Sequence, residues 1–236
     1  MQNNNVNNTK QIMSKYKIMS TALKLFRQNG YERTSIRQIV DEADISLGMV
    51  NHYFTSKRLL AMEVFSMIQK FIANATYPHV DIEANPILFD AVINRVQSYF
   101  LQNGEFKQFY LDILKEGIFS DRMMQYPEQM FFRLQEKYAF SEKEDYVLLF
   151  NRYLPADIEK IIVLQKEAGE FPNISYDEIP SLVFRAALER YISAEEIDEA
   201  DMNSRPIAKK IIEQLPPYPS EKFIQSYVVQ MNLTEE

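Results

Sequence analysis

Eleven positions within 24 residues invite a chemical reading. From Thr34 to Lys57 the chain carries Ser35, Arg37, Ser46, Asn51, His52 and Tyr53, with Leu47, Gly48 and Met49 between them. None has the company that catalysis needs. Cysteine is absent, which excludes thiol nucleophiles, disulfides and cysteine-based zinc sites. The two histidines, His52 and His79, stand 27 positions apart, too far for a helix-borne pair of metal ligands. Gly30, Gly48, Gly104, Gly117 and Gly169 are too dispersed to build a phosphate loop. Glu105, Asp112 and Glu116 can be drawn as acid–base groups, but no histidine, cysteine or phosphate loop supports them. No catalytic residue, metal site or cofactor is therefore expected. What the set leaves is binding rather than catalysis.

The charge distribution points the same way. Net charge is −7, yet residues 1–76 hold ten Lys/Arg against five Asp/Glu, a local +5. Residues 77–236 hold sixteen against twenty-eight, a local −12. A basic end on an acidic body fits an anionic partner met by one end only. No run approaches 18 consecutive apolar residues, so no membrane span is expected. The polar start Met1–Asn8 lacks the apolar core of a secretion signal, and a cytoplasmic location is expected.

These residues must be positioned by helices. Ile18, Ala22, Leu25 and Phe26 mark one face of a first helix over 11–29, stopped by Asn29-Gly30. Ser35 and Gln38 have capping-box spacing at the start of a second, whose Ile36, Ile39, Val40 and Ala43 form its buried face. After Asp44-Ile45-Ser46, a short helix runs from Leu47 to about Tyr53, with only Val50 and the following Phe54 obliged to face inward. Ser56 caps a long helix over 57–76, with Leu60, Val64, Met67, Ile68 and Phe71 inward. Beyond a linker at 77–85, proline and glycine breaks leave helices over 87–102, 105–119, 127–138, 141–153, 156–168, 176–193, 204–215 and 220–231. Clean apolar/polar alternation is missing, so no sheet is expected. Two short helices joined by a tight turn are the helix-turn-helix arrangement, whose second helix enters the DNA major groove. Gly48 costs that helix roughly 1 kcal/mol relative to Ala, which makes sense where another backbone must come close.

The stretch Thr34-Ser35-Ile36-Arg37-Gln38-Ile39 … Ala43-Asp44-Ile45-Ser46-Leu47-Gly48-Met49-Val50-Asn51-His52-Tyr53-Phe54-Thr55-Ser56-Lys57 resembles the DNA-binding domain of TetR/AcrR-family transcriptional regulators. The resemblance covers roughly residues 12–70, including Ala22, Leu25, Phe26, Gly30 and Tyr31. It implies an all-α chain: a disordered tail at 1–10, a three-helix DNA-binding domain at 11–57, and a helical-bundle ligand-binding and dimerisation domain at 58–236. It further implies that the hydroxyls or amides of Thr34 and Ser35 hold phosphate, that Arg37 reads a base, and that Lys57 holds a backbone phosphate. Ser46, Leu47, Gly48 and Met49 match the start of the recognition helix, and Asn51, His52 and Tyr53 its end. Two positions depart from the family. Asp44 replaces the usual glycine of the turn, where Asp enters the left-handed region at modest cost. Asn51 replaces a tyrosine, and suits either an adenine edge or a phosphate. Arg37 has an alternative partner in Asp41, four residues on.

The expected partners are a palindromic double-stranded operator, a second copy of the chain and a small, largely apolar or aromatic effector that releases a repressor. The aromatic-rich middle offers Tyr99, Phe100, Phe109, Tyr110, Met123, Met130 and Phe131 for the effector. For the homodimer, Leu182, Val183, Ala186, Ala187 and Arg190 lie at bundle spacing in one late helix, and Ile207, Ile211 and Ile212 in the next. A helical structural protein, or an enzyme keeping the helix-turn-helix as scaffold, is the alternative.

Overall fold

In the computed structural model, residues 2–124, 136–137, 149 and 153–234 are described. Among them eleven α-helices occur and no strand: α1 Gln2–Asn29, α2 Ile36–Ala43, α3 Leu47–Tyr53, α4 Lys57–Thr76, α5 Pro86–Asn103, α6 Lys107–Lys115, α7 Ile118–Met124, α8 Leu154–Glu167, α9 Ile179–Leu188, α10 Ala194–Gln214 and α11 Glu221–Thr234. The chain is all-α, with a helix-turn-helix at its N-terminal end. The helices expected over 127–138 and 141–153 fall almost wholly outside the described residues, as do Met130 and Phe131.

The first four helices follow the apolar pattern. Ile18, Ala22, Leu25 and Phe26 of α1 are buried, and they meet Ile39 of α2, Val50 of α3 and Leu60, Val64, Met67 and Ile68 of α4 in one continuous core. Helix α1 begins at Gln2, so the segment expected as a disordered tail continues the helix. Extending a formed helix adds one hydrogen bond per residue without a new nucleus, which lets it run through polar residues of modest propensity. Helix α11 returns to pack on α1 and α4, with the Phe223 ring edge-on to Phe71 and the Tyr227 hydroxyl donating to Glu63 at 2.6 Å.

Three boundaries in the body depart from expectation. The single helix expected over 105–119 is broken at Gly117, whose φ of +69° ends α6 and redirects the chain into α7. Helix α9 is shorter than expected. Helix α10 starts ten residues earlier, at Ala194, where Ser193 accepts from the Glu196 amide at 3.3 Å and Glu195 and Glu196 occupy the first turn. Pro206 therefore lies inside α10 rather than near its start. Packing carries the helix across this proline. Ile197, Ala200, Ser204, Ala208 and Ile211 are all buried on α10, which lies along α5. Arg95 of α5 fastens the contact, donating to Ser204 at 2.7 Å and Ser181 at 2.6 Å and pairing with Asp201.

Candidate nucleic-acid interface

The reading head is built from three serine caps. Ser35 accepts from the Gln38 amide at 3.2 Å while Gln38 Oε1 accepts from the Ser35 amide at 2.7 Å, the reciprocal box its spacing predicts. Ser46 accepts from the Met49 amide at 3.3 Å, and Ser56 from the Leu59 amide at 3.1 Å. Between α2 and α3, Asp44 sits at φ +51°, the left-handed conformation that the turn demands and that Asp tolerates. Val50 and Phe54 are buried, so α3 is seated by two residues and its remaining surface is turned outward.

That outward surface carries Leu47, 53% exposed, with Ser46, Gly48, Asn51 and His52 also exposed, and Arg37 of α2 beside them in the same unit. Arg37 makes no ion pair with Asp41 or with any other described residue, which leaves its five donors available. Gly48 has no internal reason to be glycine. A Cβ built there meets only Ser46 Oγ, 4.0 Å away.

Several expected contact residues are otherwise engaged. Thr34 is 1% exposed; its hydroxyl donates to Gly30 O at 2.7 Å and its amide to Tyr31 O at 3.2 Å. The Ser35 hydroxyl donates to Gln38 Oε1 at 3.0 Å as well as accepting from its amide. The Thr34 hydroxyl and amide thus close the α1–α2 turn in the interior, while Ser35 stays exposed with its hydroxyl and amide bonded to Gln38. The donors left at this helix start are the amides of Ile36 and Arg37, the first two of α2, which a helix leaves unbonded and which suit a phosphate. Lys57 is half-buried, donating to Tyr31 O and Thr34 O, both at 3.1 Å, with its ammonium 4.0 Å from the centre of the Tyr31 ring. One of its three protons remains. Tyr53 turns back toward α1: its ring lies 5.4 Å from the Lys15 ammonium, and burial raises its hydroxyl pKa against a hydrogen bond with Ser14. Met49 is half-buried, at the edge of a groove of about 840 Å³ whose walls include Lys10 and Lys17 of α1, Asp44 and Ser46.

The sequence reading passed over the joint between head and body. The Asp112 carboxylate of α6, buried, accepts from the Glu32 amide at 2.9 Å and from Gln108 at 2.6 Å. Gly30 makes room for it: φ is +82°, and a Cβ would lie 2.5 Å from the Asp112 oxygen. Arg58, one residue into α4, donates to Glu116 O at 2.8 Å and pairs with Asp121. Arg27 pairs with Glu105 at 3.1 Å. The three acids that look like acid–base candidates in the sequence all belong to this joint, two through carboxylates and Glu116 through its carbonyl. No local motif announces them, because each partner across the joint is at least 58 residues away.

The expected effector residues divide. Phe109 stacks on Phe26 at 5.1 Å and belongs to the joint. Phe100 packs between Phe71 and Phe106 in the core, and Tyr99 is 47% exposed on the outside of α5. Tyr110 and Met123 face a polar interior. The Tyr110 hydroxyl donates to Glu159 of α8 and is hydrogen-bonded by Gln102; Met123 Sδ accepts from Gln69 at 3.3 Å. Burial lifts the Tyr110 pKa well above its ordinary value and pushes Glu159 up to about 7.

Of the residues expected at a dimer interface, Ile211 is buried inside its own subunit, because α10 turns that face toward α5. Val183, Ala186, Ala187, Ile207 and Ile212 are half-buried. Leu182 is exposed on α9, Arg190 is exposed in the turn just past its end, and Met202 of α10, not anticipated, is exposed beside Asp201.

A capped short–turn–short pair with one outward face defines a helix-turn-helix protein. Residues 18–64 match the family of bacterial regulatory proteins described as the tetR family. Over 49 residues the chain is 45% identical to the uncharacterized HTH-type transcriptional regulator YuxN of Bacillus subtilis (strain 168), which covers 21% of this chain and 17% of that protein. Over 75 residues it is 32% identical to the uncharacterized HTH-type transcriptional regulator YxaF of the same organism, covering 31% of this chain and 39% of that protein. The matched region thus spans well under half the length of either curated relative. The N-terminal region of this chain is thus similar to the tetR family. Among the described residues, no helix is long and apolar enough to cross a membrane, and no group of three or more His, Cys, Asp or Glu residues is arranged to hold a metal ion.

Proposed function

We propose that the chain is a transcriptional regulator that binds operator DNA as a homodimer in the cytoplasm and represses until a small effector releases it. The outward face of α2 and α3 carries the reading: Arg37, Leu47, Asn51 and His52 are exposed on a unit whose other side is buried, and Arg37 has no partner among the described residues. With α3 in the major groove, Arg37, Met49, Asn51 and His52 choose bases, while the Ile36 and Arg37 amides and the third proton of Lys57 meet phosphate. One α3 spans only a few base pairs, so two copies address half-sites 34–36 Å apart, or a multiple of that. Helices α9 and α10, through Leu182 and the half-buried positions beside it, supply the pairing surface.

Release follows from the joint. Helix α6 carries Tyr110 toward the body's interior and Asp112 toward the α1–α2 turn, so a ligand that shifts α6 moves the head. An effector changes the equilibrium only by its differential affinity for the two arrangements, a few kcal/mol here. The test is retardation of DNA from the gene's own upstream region. A shift at roughly nanomolar concentration, falling steeply with salt, is expected. Equal weak binding to every DNA, with no operator preferred, would remove the regulator reading.

A further inference from the structure

The first helix carries more positive charge than its own fold uses. Over its 28 residues α1 has no Asp or Glu and five cations: Lys10, Lys15, Lys17, Lys24 and Arg27. Three of them are engaged within the protein. Lys15 is 3% exposed with its ammonium over the Tyr53 ring, Lys24 pairs with Glu42 at 2.5 Å, and Arg27 pairs with Glu105 at 3.1 Å. Lys10 and Lys17 are exposed, and their ammonium groups have no partner among the described residues.

The two free cations line one groove, the space of about 840 Å³ between α1 and the start of α3. Lys10, Met13 and Lys17 form its α1 wall, at the i, i+3, i+7 spacing of one helix face. Asp44, Ser46 and Met49 stand on the far wall. Lys10 and Lys17 are two turns apart, about 10 Å along the axis. Met13, 50% exposed, supplies apolar surface between them. Met49 and Ser46 belong both to this groove and to the recognition helix and its cap, so the groove continues the outward face of α3.

We propose that this groove receives the sugar–phosphate backbone of operator DNA, with Lys10 and Lys17 on phosphates and Met13 against deoxyribose. Helix α1 then adds a run of backbone contacts outside the helix-turn-helix pair. The assignment rests on the operator reading and extends the surface that meets the duplex. Charge selects the occupant: two ammonium groups face a single carboxylate, Asp44, and a polyanion that meets them releases its counterions. Two turns of separation suit a strand with repeated phosphates better than one small anion. Asp44, on the opposite wall, repels that strand and holds the affinity down.

Operator retardation across a salt series, with variants of the full chain, tests this. Lys10→Gln with Lys17→Gln should weaken operator binding about tenfold and flatten the slope of log affinity against log salt by about two units per half-site. The preferred sequence should not change, because phosphate contacts position the protein without specifying bases. Lys24→Gln removes the same charge from the same helix, but from a paired residue, and should move the slope by less than about half a unit. Asp44→Asn keeps a residue that tolerates the left-handed turn and should tighten binding about threefold. A double variant that keeps its slope while the operator is still preferred refutes the α1 contact and keeps the regulator. A Lys24 variant that loses as much slope per lysine as the double variant reduces the effect to diffuse charge and overturns the groove. Asp44→Asn without any tightening places the backbone outside it. A slope that falls as expected on DNA of every sequence, with no operator preferred by the wild type, refutes the regulator and keeps α1 as a phosphate-binding surface.

Discussion

Head and body deal with polar groups in opposite ways. In the head, short-range bonds within a few residues satisfy the caps and the turn, and the side chains left over face outward: Arg37, Asn51 and His52. In the body, polar side chains turn inward and meet partners on other helices, as Gln69 meets Gln97 and Tyr110 meets Glu159, and the side-chain oxygens of Gln69 and Gln102 are left without a partner. A surface that meets a fixed polyanion needs exposed donors on a rigid frame. Head and body are joined where Asp112 and Arg58 cross between them, and substitutions at the joint should affect both.

The largest effect is expected at Gly30. A Cβ there would meet the Asp112 oxygen at 2.5 Å and Gln108 Cγ at 2.7 Å, on a backbone at φ +82°. Gly30→Ala should cost about 3 kcal/mol or more, from left-handed strain plus loss of the Asp112–Glu32 bond. Urea unfolding measures it. A loss under about 1 kcal/mol would mean that head and body are not held through this contact.

Next comes a pH dependence confined to the body. Burial raises the Glu159 pKa to about 7, above its unfolded value near 4.5. Between those values the folded state keeps a proton that the unfolded state gives up, so stability should fall as pH rises from about 4.5 to 7 and then level off. The drop attributable to this group is about 3 kcal/mol. Glu159→Gln should flatten that part of the profile. An unchanged slope in the variant would place the carboxyl in a solvated setting.

Lys57 sharpens the contrast from the head's side. Two of its protons go to Tyr31 O and Thr34 O, so Lys57→Ala should lower stability by about 1–2 kcal/mol and weaken all DNA about equally. Arg37→Ala should leave stability within about 0.5 kcal/mol and cost about 1–3 kcal/mol at one base position. Selection of preferred sites with each variant tells them apart. If the Arg37 variant retains the wild-type consensus, Arg37 reads no base.

The head was legible because its signals are local. Capping-box spacing at Ser35 and Gln38, a residue tolerant of the left-handed region at Asp44 and two inward apolar positions at Val50 and Phe54 each lie within a few residues of what they control. Thr34 and Lys57 show the limit of that reading. Their types suit phosphate, yet their donors bond carbonyls of the same turn, which no residue pattern reveals. In the body, stripe and breaker rules found most helices but placed a proline wrongly: Pro206 is carried inside α10 by its packing along α5. The buried polar contacts of the body were legible only at Tyr110 and Met123; Gln69 and Gln102 come from α4 and α5, where a lone Gln within an apolar stripe looks like a surface residue.

The smallest effect separates fold from recognition at one atom. Gly48 lies two residues into α3, exposed, with open space where a Cβ would be and nothing nearer than Ser46 Oγ at 4.0 Å. Alanine is the better helix former by about 1 kcal/mol in a helix interior, and the free backbone of glycine costs entropy on folding. Gly48→Ala should therefore raise the stability of the isolated protein by about 0.5 kcal/mol or slightly more, less than the full propensity because α3 is only seven residues long. If α3 packs in the major groove, the added methyl occupies space that DNA must enter. Operator affinity should then fall roughly tenfold, about 1.4 kcal/mol, in the opposite sense to stability. Thermal unfolding and retardation of the same preparation give the two numbers. Opposite signs put α3 against another molecule's surface. A stabilised protein with unchanged operator affinity would turn this face of α3 away from the duplex and leave the N-terminal end of α2 to do the reading.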